Sequence, residues 1–360
     1  KGDPAVQLRT DIRMFETINL RALSAASVAT LFLVLLVLLG SRGLVNFDAA
    51  LVAYLFGTLF ACFGITYRYA VWIQRPPTKR FFVRGWRLLG RRLPRYVFAA
   101  LSHVVTDILI QRFIWRRSPV RGLGHSLMAL GCMLAFAVTF PLVFGWVHFT
   151  LLAGSTTTYV VHLFGFSVGQ FAIDSLQGHV TFNALNISAV LVIAGVMIMM
   201  RRRFVDAGLI ALQTFEGDWL PLLVLLAVSV TGLGVSLDYH FMAGRAHPFM
   251  AITHATTVIL FLVWIPFGKF YHIVQRPAQV GVELYKIEGA AGAQQKCVHS
   301  AEEYASEMHI KDLKDVTAEL GFDFSLPDGT SHLDRSPRGK RAALATAHLR
   351  ARTKNGGFFG

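Results

Sequence analysis

The chain has 360 residues, of which 54% are hydrophobic and only 16% charged, and its mean hydropathy is +0.50. A soluble domain would carry roughly a quarter charged residues, so the composition excludes an ordinary water-soluble enzyme and points to a polytopic membrane protein. The formal net charge of +14 comes largely from arginines beside apolar runs, a placement that fits membrane topology better than nucleic-acid binding.

Residues 1–23 read as a cytoplasmic N-terminal segment, with Met14 a plausible natural start. The first apolar run is long and lacks a small-residue cleavage site, so no cleavable signal peptide is expected. Six spans follow, at about 24–40, 50–73, 123–152, 184–200, 219–238 and 249–272. Most approach the roughly 20 apolar residues that a helix needs to cross hydrocarbon. The fourth is short and must borrow flanking residues or sit in a thinned region. The expected fold class is all-α, a polytopic bundle over 24–275 with a small cytoplasmic tail at 276–360.

The stretch from Arg75 to Arg121 holds twelve Lys and Arg against one acid, Asp107, and the next loop on that side begins Arg201-Arg202-Arg203. Loops on the other side hold Arg42 and Arg245, and residues 153–183 hold no Lys or Arg. The positive-inside rule then places both termini and the basic loops in the cytoplasm, as for a bacterial inner-membrane protein. Within the basic stretch, Tyr96 to Ile114 is apolar but interrupted by His103, Asp107, Gln111 and Arg112. It reads as an amphipathic helix on the interface. The alternative is a seventh span, which would invert everything downstream.

From about Gly281 the hydropathy collapses. Ala301 to Phe322 suggests one or two short helices, and Ser325 to Gly360 loop or extended basic tail. Cys297-Val-His-Ser300 and Ser336-Pro-Arg-Gly339 keep the spacing of two zinc knuckles with one thiol surviving. A degenerate zinc ribbon, persisting without metal as a docking module, is the expectation. The other cysteines, Cys62 and Cys132, fall in apolar spans. Three scattered cysteines do not suit an iron–sulfur cluster, which normally takes about four thiolates.

His254 and His272 stand eighteen residues apart on one apolar segment. On a continuous helix that is five turns, about 27 Å, with both imidazoles on one face. Ionisable groups within membrane segments are costly and functional by default. His125, opening the third span, matches the depth of His272, and two such imidazoles suit the axial positions of a low-spin b-type haem. Gly122, Gly124 and Gly131 would leave room for a macrocycle, and Arg117, Arg121 and Arg276 could neutralise its propionates. The bland alternative is a pair of interfacial histidines bonded to headgroups or carbonyls. On the outer side His148 is the candidate partner for His254. It lies about 34 Å of helix beyond His125, so a tilt or a kink near Pro141 would have to absorb the excess. His162, His179, His240 and His247 fall in outer loops, where one could help bind a quinone headgroup.

The run His254 to Pro277, HATTVILFLVWIPFGKFYHIVQRP, resembles the last transmembrane helix of the respiratory nitrate reductase gamma subunit family. Arg121-Gly-Leu-Gly-His125 resembles the start of that family's haem-bearing second helix, and the likeness extends over about residues 115 to 278. The chain also looks like the membrane part of heterodisulfide-reductase-like oxidoreductases, where an Asp-x3-Gln-Arg segment precedes the haem helix, as Asp107-Ile-Leu-Ile-Gln111-Arg112 does here. The resemblance implies a membrane cytochrome b passing electrons between a quinone pool and a cytoplasmic iron–sulfur partner, which must supply the clusters that this chain lacks. It implies that His125 and His272 share the cytoplasmic-side haem. The histidine that the family pairs with the match of His254 is Ala135 here. Either His148 substitutes, or one haem is bound, or the outer centre is lost. Two rivals remain from composition alone: a secondary transporter, disfavoured by the absence of an internal repeat, and a haem-free anchor for a soluble redox enzyme.

Overall fold

The computed structural model describes residues 18–327 and 329–354; Met14 and the rest of the N-terminal segment before Ile18 lie outside the described residues. The protein is an all-α polytopic bundle with a small amount of sheet. Among the described residues six helices are long and apolar enough to cross a membrane, and the protein is an integral membrane protein. The chain divides into two compact units. One comprises residues up to Val71 together with Thr106–Gln275, the other Trp72–Val105 with Arg276–Gly360.

In the first unit, α1 (Leu20–Gly40) starts where the Asn19 side chain accepts from the Ala22 amide, and α2 (Val52–Ile73) follows a short 3₁₀ turn capped by Asp48. Leu31, Phe32, Leu35 and Leu39 lie exposed on α1, as expected of a helix apolar all round and solvated by lipid. The amphipathic helix expected over Tyr96–Ile114 is not one helix. A helix over Leu93–His103 runs into a π-helical turn, Val104–Leu109, and the chain then reverses at Gln111, where φ is 58°. A short helix, Arg112–Trp115, follows.

The third span, α6 in chain order (Pro119–Val143, with α3 Pro76–Arg91, α4 Leu93–His103 and α5 Arg112–Trp115 before it), is capped by Ser118 and begins with proline at N1. It ends nine residues before the expected boundary at Leu152. Gly145 takes φ +66°, and the chain becomes an antiparallel three-stranded sheet of β1 (Val147–Leu151), β2 (Thr158–Leu163) and β3 (Phe166–Ala172). Leu163 pairs with Phe166, leaving Phe164 and Gly165, both with positive φ, as a two-residue turn of the type that matches strand twist. The aromatic rings of Phe149, Tyr159 and Phe171 gather around Phe182 at 5.6, 5.0 and 5.8 Å. This loop is thus a folded sheet: in β1 the apolar Val147, Phe149 and Leu151 alternate with His148 and Thr150, and the strands are rich in β-branched and aromatic residues.

The fourth span, α7 (Leu176–Val205), has 30 residues, so it borrows flanking sequence at both ends and needs no thinned membrane. Arg201, Arg202 and Arg203 stay helical, as cations at a helix C-terminus are favoured by its dipole. It packs tightly on α6. A Cβ on Gly131 would come 2.7 Å from Val192 Cγ2 and 2.8 Å from the Ser188 carbonyl oxygen, and one on Gly195 2.6 Å from the Gly124 carbonyl. Ser188 Oγ donates to the Gly131 carbonyl at 2.8 Å. These glycines therefore permit close backbone approach between helices. The space expected beside Gly124 and Gly131 for a macrocycle is filled by α7, and that beside Gly122 by the Trp115 ring.

After α8 (Ala207–Leu212), α9 (Leu220–Phe241) and α10 (His247–Trp264) complete the bundle. The sixth span is expected to run to His272; α10 stops eight residues earlier. Pro266 lacks an amide proton and its ring would clash with the preceding turn. The Arg68 guanidinium of α2 donates to the Pro266 carbonyl and lies 4.2 Å from the Tyr271 ring centroid. A 3₁₀ turn at Lys269–Tyr271 then leads into α11 (His272–Ala291). His254 and His272 are on different helices, so the one-face argument from five continuous turns does not hold.

The second unit packs α3 and α4 with α11, a hairpin of β4 (Gln294–Lys296) and β5 (Glu303–Ser306), α12 (Glu307–Glu319) and α13 (Pro337–Lys354). Tyr96, Ala100 and Leu284 form its core cluster. Asp312 is buried and receives Arg84 at 2.6 Å and the Tyr285 hydroxyl at 2.8 Å. The region 301–322 holds a strand and one helix, and 337–354, expected as loop, is helical. Cys297 is 2% exposed and accepts from the Ser336 amide at 3.3 Å; a Cβ on Gly339 would stand 2.5 Å from its Sγ. The knuckle positions converge, with Ser336 donating to Glu302 and accepting from the Gly339 amide at 2.9 Å.

Candidate functional site

Three of the four singled-out histidines share one feature. His125 Nδ1 lies 2.7 Å from Gln111 Oε1, His272 Nδ1 lies 2.6 Å from the Lys269 carbonyl, and His254 Nδ1 lies 3.0 Å from Thr231 Oγ1. A carbonyl or amide oxygen only accepts, so His125 and His272 donate from Nδ1. The Thr231 hydroxyl also reaches the Ala227 carbonyl at 2.7 Å; donating there, it accepts from His254 Nδ1. The His125 and His272 rings carry a proton on Nδ1. Histidines that bind metal through one nitrogen nearly always donate the other to an oxygen, which fixes the tautomer and ring angle.

His125 occupies the second turn of α6, beside Gly124, whose neighbours are Ile198 and Met199 of α7. Asp218 joins Arg203 at 3.2 Å and Lys269 at 3.0 Å. These contacts put the ends of α6 and α7 and the 3₁₀ turn before His272 at one end of the bundle. His125 and His272 accordingly share the end marked by Arg201–Arg203. Lys269 holds both Asp218, through its amine, and His272, through its carbonyl. Arg121 is half-buried on the first turn of α6, where its amide donates to Ser118 Oγ at 3.4 Å.

His254 sits about 13 residues, or roughly 20 Å of helix, beyond that end, judged by its neighbour Thr231 on α9. It packs where α9 has no side chain: a Cβ on Gly232 would meet His254 Cε1 at 3.1 Å. Thr257 Oγ1 extends the bond network, 3.0 Å from Thr231. At the far end of α9, Asp238 is fully buried and accepts from the Ala246 amide at 2.9 Å.

His148 differs from the other three. It lies on β1, not at the end of a helix, so the depth reasoning along α6 no longer applies. Its ring stacks on His162 across the sheet, 4.6 Å between centroids and 4° from parallel. His162 Nε2 meets Thr150 Oγ1 at 2.9 Å, while His148 Nδ1 is buried without a hydrogen-bond partner. Burial, then His162 and Arg42, push His148 below the ordinary imidazole range. Following Ala135 in sequence, Phe136 and Phe140 of α6 and Phe144 at its C-cap form an aromatic ladder, with centroids 5.1 and 5.8 Å apart, and Phe136 also stacks with Phe261 of α10 at 6.2 Å.

Among the described residues no three His, Cys, Asp or Glu side chains converge as around a bare metal ion. A bis-histidine haem asks only two axial nitrogens of the protein, and the tautomers of His125 and His272 fit that demand. Sequence reasoning missed Thr231 and Asp218 altogether. It quoted Gln111 and Lys269 only as parts of motifs.

Over 209 residues, the chain is 26% identical to a subunit of dihydromethanophenazine:CoB–CoM heterodisulfide reductase from Methanosarcina thermophila, an alignment covering 55% of this chain and 72% of that protein. No family model matches the chain. No solved structure matches it either.

Proposed function

We propose that the chain is the membrane cytochrome b subunit of a redox complex, transferring electrons between a quinone pool and a cytoplasmic iron–sulfur partner. The observation that carries this is the shared tautomer of the candidate ligands. His125 and His272, held at one end of the bundle, each direct Nδ1–H to an oxygen, so Nε2 would be the nitrogen that ligates. The similarity to a heterodisulfide reductase subunit supports a place in a multi-subunit oxidoreductase. The resemblance to nitrate reductase gamma subunits rests on sequence motifs alone, most specifically the run from His254 to Pro277 and, more weakly, Arg121 to His125.

His125 and His272 would hold a b-type haem through Nε2, with Arg121 and Arg117 of the same end beside its carboxylates. Bound there, the haem would supply a one-electron couple between the two-electron quinol and single-electron clusters. The chain's own work is to orient: Gln111 and Lys269 fix the rings, and the Asp218 pairs tie the end of the bundle together. By the positive-inside rule this end faces the cytoplasm, where the partner would dock. Quinone would react toward the other end, near His254 and the Asp238-Tyr-His240 turn. The Phe136–Phe261 stack beside Ala135 favours one haem over two, leaving His254 to bind the quinone headgroup through Nε2.

A pyridine haemochrome assay on the purified chain counts the haem. His125→Ala and His272→Ala are each expected to abolish the b-type signal in the reduced-minus-oxidised spectrum. An undiminished spectrum in both would overturn the ligand assignment, and a colourless wild type would favour an anchor or a transporter.

A further inference from the structure

Gln111 is 6% exposed and stands in the left-handed backbone region, at φ 58° and ψ 40°. That region is strained for a residue with a Cβ; glycine or asparagine would occupy it at lower cost. Backbone geometry alone therefore does not account for a glutamine here. The turn before it, Val104–Leu109, is π-helical, a rare wider winding that is frequent at functional sites. After the reversal, Ile114 donates its amide to the Gln111 carbonyl at 2.8 Å and starts α5. Trp115 at the end of α5 lies against Gly122 and donates from Nε1 to Ser126 Oγ at 3.1 Å. The corner is thereby fastened to the first two turns of α6, on either side of His125. The side chain that this corner delivers places Oε1 2.7 Å from His125 Nδ1.

We propose that Gln111 is a positioning residue for the haem ligand His125: the left-handed corner aims its amide oxygen at Nδ1, fixing the ring's tautomer and tuning how strongly Nε2 donates. This rests on the assignment of His125 as a ligand made above. The amide is neutral, so it holds the proton on Nδ1 without drawing it away as a carboxylate would. Gln111 is thus set to give a ligand of intermediate donor strength, and a haem of correspondingly higher potential than a carboxylate–histidine pair would give.

The test uses the full chain in detergent or lipid and three substitutions, Gln111→Glu, Gln111→Asn and Gln111→Leu. Haem retention, redox potential by optical titration and the low-spin electron paramagnetic resonance of the oxidised haem are read for each. Gln111→Glu keeps an acceptor at the same reach, so haem is retained and its potential falls. Gln111→Asn suits the left-handed backbone better but is one methylene short, and Gln111→Leu has no acceptor. Both are expected to weaken haem retention by about 10- to 100-fold and to shift the resonance. Should Gln111→Leu fail to accumulate, Asn and Glu decide the matter. Wild-type retention, potential and resonance in Gln111→Asn, with the signal lost in His125→Ala, would overturn the positioning role and leave the ligand assignment standing. A signal undiminished in His125→Ala would overturn the ligand assignment, and the positioning role with it.

Discussion

Three of the four candidate ligand histidines, His125, His254 and His272, are oriented by a neighbour far less conspicuous than themselves. The histidines stand out in the sequence because a polar ring in an apolar run is costly. Their Nδ1 partners do not, because a threonine 23 residues from His254 or a glutamine 14 residues from His125 becomes relevant only when the chain folds. Thr231→Val keeps the shape but removes the acceptor from His254. It is expected to destabilise the bundle by about 1 kcal/mol in detergent unfolding and to leave unchanged the b-type spectrum of the haem proposed for His125 and His272. A fall in that spectrum would show that His254, not His272, is the ligand. In the tail, burial pushes the Cys297 thiol up, but donors from Ser300 and Ser336 outweigh it and hold the thiol at about 6, against an ordinary 9.0. A depressed folded value contributes stability in full above about 9, and that contribution is lost as pH falls through about 6. Cys297→Ser is therefore expected to flatten the dependence of tail protease resistance on pH between 6 and 9. An unchanged slope would place the titrating group elsewhere.

At the scale of elements, all six spans are legible from hydropathy, while three of their ends are displaced by eight or nine residues: the start of the fourth and the ends of the third and sixth. Residues 144–152 are apolar enough to prolong a helix, and only Gly145 and the strand-like alternation after it say otherwise. In the sixth span Pro266 is in plain view, but a proline inside a membrane helix is compatible with a kink as well as a stop. Here Arg68 and Gly64 of α2 accommodate the break. Pro266→Ala restores an amide proton and should let α10 run on, turning His272 away and lowering haem content; a wild-type difference spectrum would show the break to be dispensable. The glycines of α6 illustrate the opposite error, a correct residue given the wrong neighbour. Gly131→Leu is expected to cost about 2 kcal/mol or more by overpacking the α6–α7 interface, which thermal unfolding of the detergent-solubilised protein would register. A stable variant that had lost only its haem would restore the macrocycle reading for Gly131.

For the whole molecule, composition alone leads to a lipid-solvated bundle, and the arginine distribution supports the proposed orientation. The second unit is harder to read. The stretch 72–105 is separated in sequence from the tail that it packs with, and helix α13 carries too few apolar residues to announce itself. The orientation has a direct check: protease added to inside-out vesicles should remove the tail after Gln275, and protease added to right-side-out vesicles should not. The reverse pattern would favour the seventh-span topology. The most direct measurement of the central claim is haem per chain in wild type and in His125→Ala, by pyridine haemochrome on purified protein. One b-type haem in the wild type and none in the variant is the expected result. A wild type without haem, or a variant that keeps it, would contradict the assignment of this protein as a bis-histidine cytochrome.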